Sequence, residues 1–422
     1  MTLRIGICGL GTVGSGTFNL VTGNADEITR KIGREVVIAQ VGCRRGHPDC
    51  DLSSTTVTRD IFDVARNPEV DVLVELIGGT DPALQLVTEA IESGKHVVTA
   101  NKALIAQHGD ALFALANKYG VSLRFEAAIA GGIPIVKALR EGLAGNRIDY
   151  VTGIINGTSN FILTEMEGGN RWFADVLEEA QALGYAEADP TFDVEGIDAA
   201  HKLTILSSLA FGGPLAFDAI YTEGIGTITP ADINYARELG FRIKHLGITR
   251  RQESGIELRV HPTMIRRSEL LAQVDGVMNA VMVGGDAAGP TMYYGAGAGS
   301  GPTSSAVVAD IVDLARNAEI ADAGFVTRAD TTILPITETS AACYLRLQVK
   351  DRQGVMASIS TVLSDHEISI EKLVQKDPED DHAAIVIVTD ETPESVMDGA
   401  LDALRQLDSV VDLIRIRVQT FT

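Results

Sequence analysis

Leu3-Arg-Ile-Gly-Ile-Cys8 runs without a break into Gly9-Leu-Gly11-Thr12-Val13-Gly14. An apolar run ending in GxGxxG reads as a strand, a tight turn and the start of a helix. In that context the first glycine permits the turn, the second lets the backbone approach a pyrophosphate, and the third lets helix and strand pack closely. The helix N-terminus adds N–H donors and the positive end of its dipole, so the segment suits a dinucleotide. A glycine turn of purely structural use is the competing reading, and the strand–turn–helix order is what favours the cofactor. Gly9, Gly11, Thr12, Val13 and Gly14 are thus candidate cofactor residues.

Working outward, apolar runs at Leu3–Cys8, Val36–Cys43, Val72–Leu76, His96–Thr99 and Ser122–Glu126 alternate with amphipathic stretches such as Pro82–Ser93 and Gly109–Lys118. The alternation predicts βαβ units on a parallel sheet, an α/β Rossmann-type domain over residues 1–133. Pro134, after Gly131-Gly132, marks the hinge into an α+β region over 134–330, with strands expected at Tyr150–Ile155 and Val274–Val283 and helices at Trp172–Leu183 and Ile197–Leu209. Gly295–Gly301 opens a helix over Ser304–Glu319, and a helix at 302–320 is expected to complete the first domain. Residues 341–422 follow a βαββαβ pattern. Its strands are expected at Cys343–Val349, Ser369–Gln375, Ala383–Thr389 and Val410–Val418, and its helices at Val355–His366 and Glu394–Leu407.

The end of the second strand bears on cofactor type. Where an NAD site carries an acidic residue for the ribose 2′-hydroxyl, this chain has Arg44-Arg45 after Val-Gly-Cys43. Two guanidinium groups suit a 2′-phosphate through bidentate, charge-assisted hydrogen bonds. A solvated surface pair is the other reading. NADP(H) is the expected preference, with NAD(H) as the alternative.

At 422 residues the chain exceeds one ordinary core, so two or three domains are expected. Hydrophobic residues at 45% and charged ones at 22% fit a soluble globular protein and exclude a disordered one. A formal net charge of −22 argues against binding nucleic acid or an anionic membrane, both of which need basic patches. Any anionic ligand must therefore be held by local basic groups against the overall field. Cys8, Cys43, Cys50 and Cys343 show no CxxC spacing and no histidine cluster, so neither a zinc site nor a disulfide framework is indicated. No apolar stretch reaches the ~20 residues of a membrane span. The first apolar run leads into the glycine turn, not into a signal-peptide layout. A cytoplasmic protein is expected.

Asn101-Lys102 follows the carboxyl end of a parallel strand, the edge at which open α/β sheets bind ligands. Lys102 is a candidate on position, against the reading of a surface lysine. Further on, Leu183-Gly-Tyr-Ala-Glu187-Ala-Asp189-Pro190 forms a carboxylate-rich loop, followed by Asp193, Asp198 and His201-Lys202. Asp198 and Lys202, four apart, share one helix face. Taken alone they read as a solvated ion pair worth about 0.3–0.5 kcal/mol. His201 reads as a helix-surface or packing residue.

The motifs are more specific together. Gly9–Gly14, Thr99-Ala-Asn101-Lys102, Glu126-Ala-Ala-Ile-Ala-Gly131-Gly-Ile133-Pro134, Asn156-Gly-Thr-Ser-Asn160-Phe-Ile-Leu163, Leu183–Pro190 and Tyr294-Gly-Ala-Gly-Ala-Gly299 fall in one order over residues 1–330. In that order the chain resembles homoserine dehydrogenase of the monofunctional bacterial type. The resemblance implies NAD(P)H-dependent reduction of L-aspartate 4-semialdehyde to L-homoserine, a step toward threonine, methionine and isoleucine, in a homodimer or homotetramer. It makes 134–330 the catalytic and dimerisation domain. It implies Lys202 as general acid, Lys102 beside the nicotinamide and the reacting oxygen, and Glu187, Asp193, Asp198 and Lys202 as substrate ligands. Glu187 suits the substrate α-ammonium, and Asp198 would hold Lys202 in place. Two ammonium groups converging on the oxyanion would stabilise charge that appears only in the transition state and would depress each other's pKa.

The resemblance also implies Gly79, Lys102 and Gly299 as cofactor contacts. The backbone carbonyls of Glu126, Ile129, Gly131 and Ile133 match a site for a monovalent cation, usually sodium, with a structural role. Ala296 departs from the family, many of whose members carry a basic residue between the first two glycines of the Gly295–Gly301 loop. A charge contact from that position is therefore in doubt.

The last 80 or so residues resemble the ACT module of many bacterial members, with Asp351-Arg-Gln-Gly354 in the turn after its first strand. An ACT module implies amino-acid binding, and L-threonine, an end product of the pathway, is the expected allosteric ligand. Removing 341–422 is expected to leave activity and abolish inhibition. A fused kinase is not expected, since the dinucleotide turn begins at Gly9. Two other readings stay open, a dehydrogenase of another amino-acid aldehyde and an NADP-binding amino-acid sensor without catalysis. Lys102, Lys202 and the carboxylates around Glu187 weigh against the sensor.

Overall fold

The computed structural model describes residues 2–317, 331–376 and 381–420. The chain forms two compact units, each assembled from segments distant in sequence. Met1–Gly157, Asp198–Asp218 and Met278–Thr331 make the first, and Thr158–Ile197, Ala219–Val277 and Thr332–Thr422 the second.

In the first unit, strands β1 (Leu3–Cys8), β2 (Val36–Gly42), β3 (Thr56–Thr58), β4 (Val72–Glu75), β5 (His96–Thr99) and β6 (Leu123–Arg124) form one sheet in the order β3-β2-β1-β4-β5-β6. All five pairings are parallel. Strand order reverses at β1, and ligands of such sheets bind at that crevice beyond the strand carboxyl ends. Parallel strands need both faces covered. Ile5, Ile7, Val72, Val74 and Val98 share a core with Phe18 and Val21 of the Thr12–Gly23 helix and with Val307, Ile311 and Leu314 of the Ser300–Asn317 helix. Ser300 Oγ and Ser304 Oγ donate to the carbonyls of Thr12 and Val13 at 2.8 and 3.0 Å. The same unit carries antiparallel strands Ile148–Ile154, Met278–Gly285 and Gly289–Ala296.

Several boundaries differ from the sequence reading. The helix expected at Gly109–Lys118 runs Lys102–Tyr119, because Asn101 caps it, its Oδ1 accepting the Leu104 N–H at 3.1 Å. Gly109 lies inside that helix, where a Cβ would stand 2.5 Å from Leu215. The strand expected at Ser122–Glu126 ends at Arg124, and Glu126–Ala128 turns as a 3-10 helix. The Glu126 carboxylate instead accepts the N–H groups of Val136 and Lys137 at 2.8 and 2.9 Å. The strand expected from Val274 begins at Met278. The last expected helix of this region starts earlier, at Ser300, and its expected residues 318–320 lie outside the described residues.

The second unit is built on one sheet. Phe241–Arg251 and Ile256–Arg266 pair antiparallel along their full length. Ile256–Arg266 pairs parallel with Val410–Gln419, which pairs antiparallel with Ser340–Lys350, and His382–Thr389 and Ile370–Gln375 follow. The expected βαββαβ order is present, with helices Val355–Asp365 and Glu394–Arg405. One sheet face, including Leu345, Leu347, Ile385 and Ile387, packs on those helices through Ile359, Leu363, Met397 and Leu401. The alternate residues Tyr344, Val386, Val388, Ile416 and Val418 enter a core with Phe161, Ile162, Met166, Val176, Ile233 and Met264. Asp232, wholly buried, accepts from Arg346 Nε at 2.6 Å and the Tyr344 hydroxyl at 3.1 Å.

Residues 341–422 therefore share a core with residues 161–264, and the truncation expected to leave activity would strip one face of that core. The period-2 pattern of their strands buries both faces, one within the module and one against residues 161–264. Each apolar side chain stripped from that second face forfeits about 1.5–3 kcal/mol, against a total of about 5–15 kcal/mol for a domain. A chain truncated at residue 340 should lose cooperative thermal unfolding and bind a hydrophobic dye. A soluble truncated protein that melts like the full chain contradicts the shared core.

Candidate active site

The glycine turn is built as its spacing requires. Gly9 has φ +97°, and a Cβ there would lie 2.5 Å from the Leu76 carbonyl oxygen. A Cβ on Gly14 would lie 2.0 Å from the Gly9 carbonyl oxygen, whereas one on Gly11 would meet nothing within 4 Å. The turn thus closes at its first and third glycines and stays open at the second, the side a pyrophosphate approaches. Thr12 and Val13 start the following helix and present their carbonyls to Ser300 and Ser304.

Around the turn lies a cavity of about 1010 Å³, lined among others by Gly9, Gly11, Arg44, Arg45, Ile77 and Gly78. Arg44 and Arg45 are exposed at its rim. Arg59 joins them from the residue after β3. The sequence reading assigned no strand at Thr56–Thr58, so nothing marked Arg59 as a neighbour of the β2 end. Gly79 follows the cavity lining, and its carbonyl accepts Asn101 Nδ2 at 2.6 Å. Gly299, φ +110°, immediately precedes the Ser300–Asn317 helix.

Lys102, Asp198 and Lys202 come together in the first unit. Lys102 Nζ stands 2.5 Å from Asp198 Oδ1, and Lys202 Nζ 2.6 Å from Asp198 Oδ2. Lys202 Nζ also donates to the Ile155 carbonyl at 2.8 Å, and Asn156 Nδ2 donates to Asp198 Oδ2 at 2.8 Å. The side chains are 3% exposed at Asp198, 10% at Lys202 and 34% at Lys102, so Lys202 is the more sheltered of the two lysines. Burial by itself would raise the Asp198 carboxyl, but the ammonium groups of Lys202 and Lys102 outweigh it and hold the carboxyl well below the ordinary carboxylate range.

Two expectations change here. The Asp198–Lys202 pair is buried, not a solvated decoration, and the lysines do not face each other bare, since a carboxylate stands between them. Counted formally, two lysines on one carboxylate give the cluster one positive charge. Asn156 and the Ile155 carbonyl complete it, and sequence reading gave neither a role although Asn156 stood in a quoted motif. His201 is buried and stacks on Phe217 with ring centroids 4.2 Å apart, a packing residue and not a surface one.

Glu187 and Asp193 belong to the second unit, Glu187 exposed on the loop after the Phe173–Ala182 helix and Asp193 in the short Thr191–Val194 helix. In the first unit, Ala130 and Gly131 take consecutive left-handed conformations, φ +51° and +52°. Gly132 N–H donates to the Ala296 carbonyl at 3.0 Å, which ties this loop to the Gly295–Gly301 loop through backbone. The carbonyls of Glu126 and Ile133 accept from the Ile129 and Ile135 N–H groups at 3.2 and 2.8 Å, and each keeps a second lone pair. A neutral all-oxygen donor set of this kind suits a hard cation. Among the described residues no group of three or more His, Cys, Asp or Glu side chains is placed to hold a metal ion, and no helix is long and apolar enough to cross a membrane.

Comparison with known proteins adds three findings. The family model described as homoserine dehydrogenase matches residues 134–312, that of the homoserine dehydrogenase NAD-binding domain residues 9–126, and that of the ACT domain residues 344–409. A homoserine dehydrogenase of Pseudomonas aeruginosa is 58% identical over 428 residues, 99% of each chain, and one of Neisseria gonorrhoeae is 53% identical over 97% of this chain and 96% of that one. Among solved structures, a homoserine dehydrogenase from Thiobacillus denitrificans matches with TM-score 0.94 at 52% identity over 99% of this chain and 98% of that one. A hyperthermophilic archaeal homoserine dehydrogenase in complex with NADPH matches with TM-score 0.63 at 27% identity, covering 74% of this chain and 97% of that one.

Removing the charge between the lysines is expected to be costly, because it leaves a buried ammonium uncompensated. Asp198→Asn should destabilise the chain by about 3–5 kcal/mol, with part recovered in Asp198→Asn/Lys202→Met, as read by urea unfolding. The sign with pH follows from the depressed carboxyl. Its contribution is present above the unfolded value of about 3.9 and is lost as pH falls below it. Asp198→Asn should therefore flatten the acid side of the stability curve, and an unchanged acid slope counts against the assignment.

Proposed function

The chain belongs to the homoserine dehydrogenase family of oxidoreductases, and we propose how its residues share the reduction of L-aspartate 4-semialdehyde to L-homoserine. The observation that carries the reading is Asp198 holding the ammonium groups of Lys102 and Lys202, one on each oxygen, at 2.5 and 2.6 Å. The nicotinamide supplies the hydride when bound. Lys202 gives its proton to the aldehyde oxygen, since it is the sheltered ammonium and is aimed by both Asp198 and the Ile155 carbonyl. Lys102, the more exposed of the two, stabilises the developing oxyanion, a charge absent from the ground state. Asp198 fixes both lysines, one on each carboxylate oxygen. Glu187 receives the substrate α-ammonium, assisted by Asp193.

NADP(H) is the preferred cofactor, supported by Arg44, Arg45 and Arg59 around the cavity and by the NADPH carried by the archaeal relative. Three guanidinium groups offset the local effect of a net charge of −22. Gly79 and Gly299 complete the cofactor contacts. A sodium ion with a structural role is held by the carbonyls of Glu126, Ile129, Gly131 and Ile133, supported by their oxygen-only chemistry. The ACT match supports an amino-acid effector, L-threonine. The enzyme works in the cytosol as a homodimer or homotetramer.

NADPH oxidation in the presence of aspartate semialdehyde tests the lysine roles, and Lys202→Ala should lower kcat by about 10²–10⁴-fold. Equal rates for the two proteins sink the assignment. Arg44→Ala/Arg45→Ala should raise KM for NADPH by about 10–100-fold while leaving that for NADH within about two-fold. Equal effects on both cofactors would mean that the arginines do not read the phosphate. L-Threonine titrated into the full-length enzyme should inhibit it, and a flat response removes the regulatory part of the proposal.

A further inference from the structure

A buried carboxylate outside the lysine cluster links the cofactor cavity to Lys102. Glu75, the last residue of β4, has no exposed surface and pairs in register with Thr99, the last residue of β5. Its Oε1 accepts the backbone N–H groups of Ile77 and Gly78 at 2.9 and 3.3 Å, and both residues line the cavity. Its Oε2 accepts the Thr99 hydroxyl at 2.5 Å. Thr99 Oγ1 accepts the Asn101 N–H at 3.0 Å, while Asn101 Nδ2 returns to the Gly79 carbonyl at 2.6 Å and Asn101 Oδ1 caps the helix that begins at Lys102.

The hydrogen bonds close a circuit, from Glu75 through the Ile77–Gly79 turn to Asn101 and back through Thr99. Gly78 and Gly79 have φ +71° and +73°, so the turn takes a conformation that needs holding. A buried carboxylate persists only where its oxygens are satisfied, and here each has a donor. A carboxylate is acceptor-only. An apolar side chain in its place serves neither the turn nor the Thr99 hydroxyl, whereas an amide keeps an oxygen for the turn and an N–H for Thr99 Oγ1.

We infer that Glu75 is a positioning residue for the reaction, setting the Ile77–Gly79 edge of the cofactor cavity and, through Thr99 and Asn101, the placement of Lys102. The inference rests on the reading of Lys102 and of the cavity given above. The two branches separate by mutation. Thr99→Val cuts only the lysine branch and should lower kcat about 10-fold while the NADPH Kd, followed by nicotinamide fluorescence, stays within about two-fold of wild type. Thr99→Ser keeps the hydroxyl and should recover the rate. Glu75→Leu strikes both branches and should lower kcat and raise the NADPH Kd, each about 10-fold. If Glu75→Leu does not fold, the Thr99→Val and Thr99→Ser pair decides the lysine branch. Wild-type kcat in Thr99→Val, or wild-type NADPH Kd in Glu75→Leu, with only Tm lowered, overturns the inference. Lys102→Met measured alongside separates the levels. A wild-type rate there sinks the catalytic reading itself, whereas an inactive Lys102→Met beside unaffected Glu75 and Thr99 variants sinks only the positioning role.

Discussion

Two charged ammonium groups gathered in a sheltered pocket repel each other unless an anion stands between them. Asp198 is that anion, and much of the first unit serves to put it there. The Ile197–Phe211 helix carries Asp198 and Lys202 one turn apart. Residues just past the Ile148–Ile154 strand supply the Ile155 carbonyl and the Asn156 amide, and the sheet end at β5 supplies Lys102. Three elements distant in sequence thus meet on one carboxylate. The arrangement is also chemically economical, because the charge that stabilises the folded lysines orients them for proton delivery.

Much of the fold was legible because the relevant signals are local. A strand running into GxGxxG has few other uses, and the alternation of apolar runs with helical periodicity places β1, β2, β4 and β5 within a residue or so. Arg44 and Arg45 were visible for the same reason, since the end of the second strand is a fixed place in such sheets. The βαββαβ order of the C-terminal stretch could be read from its periodicity alone.

What stayed hidden depended on contacts between distant residues. Spacing could not tell a buried Asp198–Lys202 pair from a solvated one, because the difference lies in what covers it. Arg59 follows a three-residue strand too short and too exposed to leave a pattern. Asn156 sat inside a recognised motif, but its partner is 42 residues away. The C-terminal module read as separate because both faces of its sheet alternate normally, and alternation does not say whose side chains meet each face. Its partners are residues 161–264, with Asp232 answering Arg346 and Tyr344 from over a hundred positions away.

The threading of the chain has a consequence for its birth. The sheet of β1 to β6 is synthesised by residue 124, but Val307, Ile311 and Leu314, which cover one part of its core, come nearly two hundred residues later. At about 5–20 residues per second, that is on the order of 10–40 s during which the nascent sheet waits with an apolar face uncovered. The second unit waits longer still, for Ile416 and Val418 at the very end of the chain. The first unit completes its core only once residues 307–314 have been made, and the second only once Ile416 and Val418 have. A slow or interrupted message lengthens the time for which these apolar faces stand uncovered.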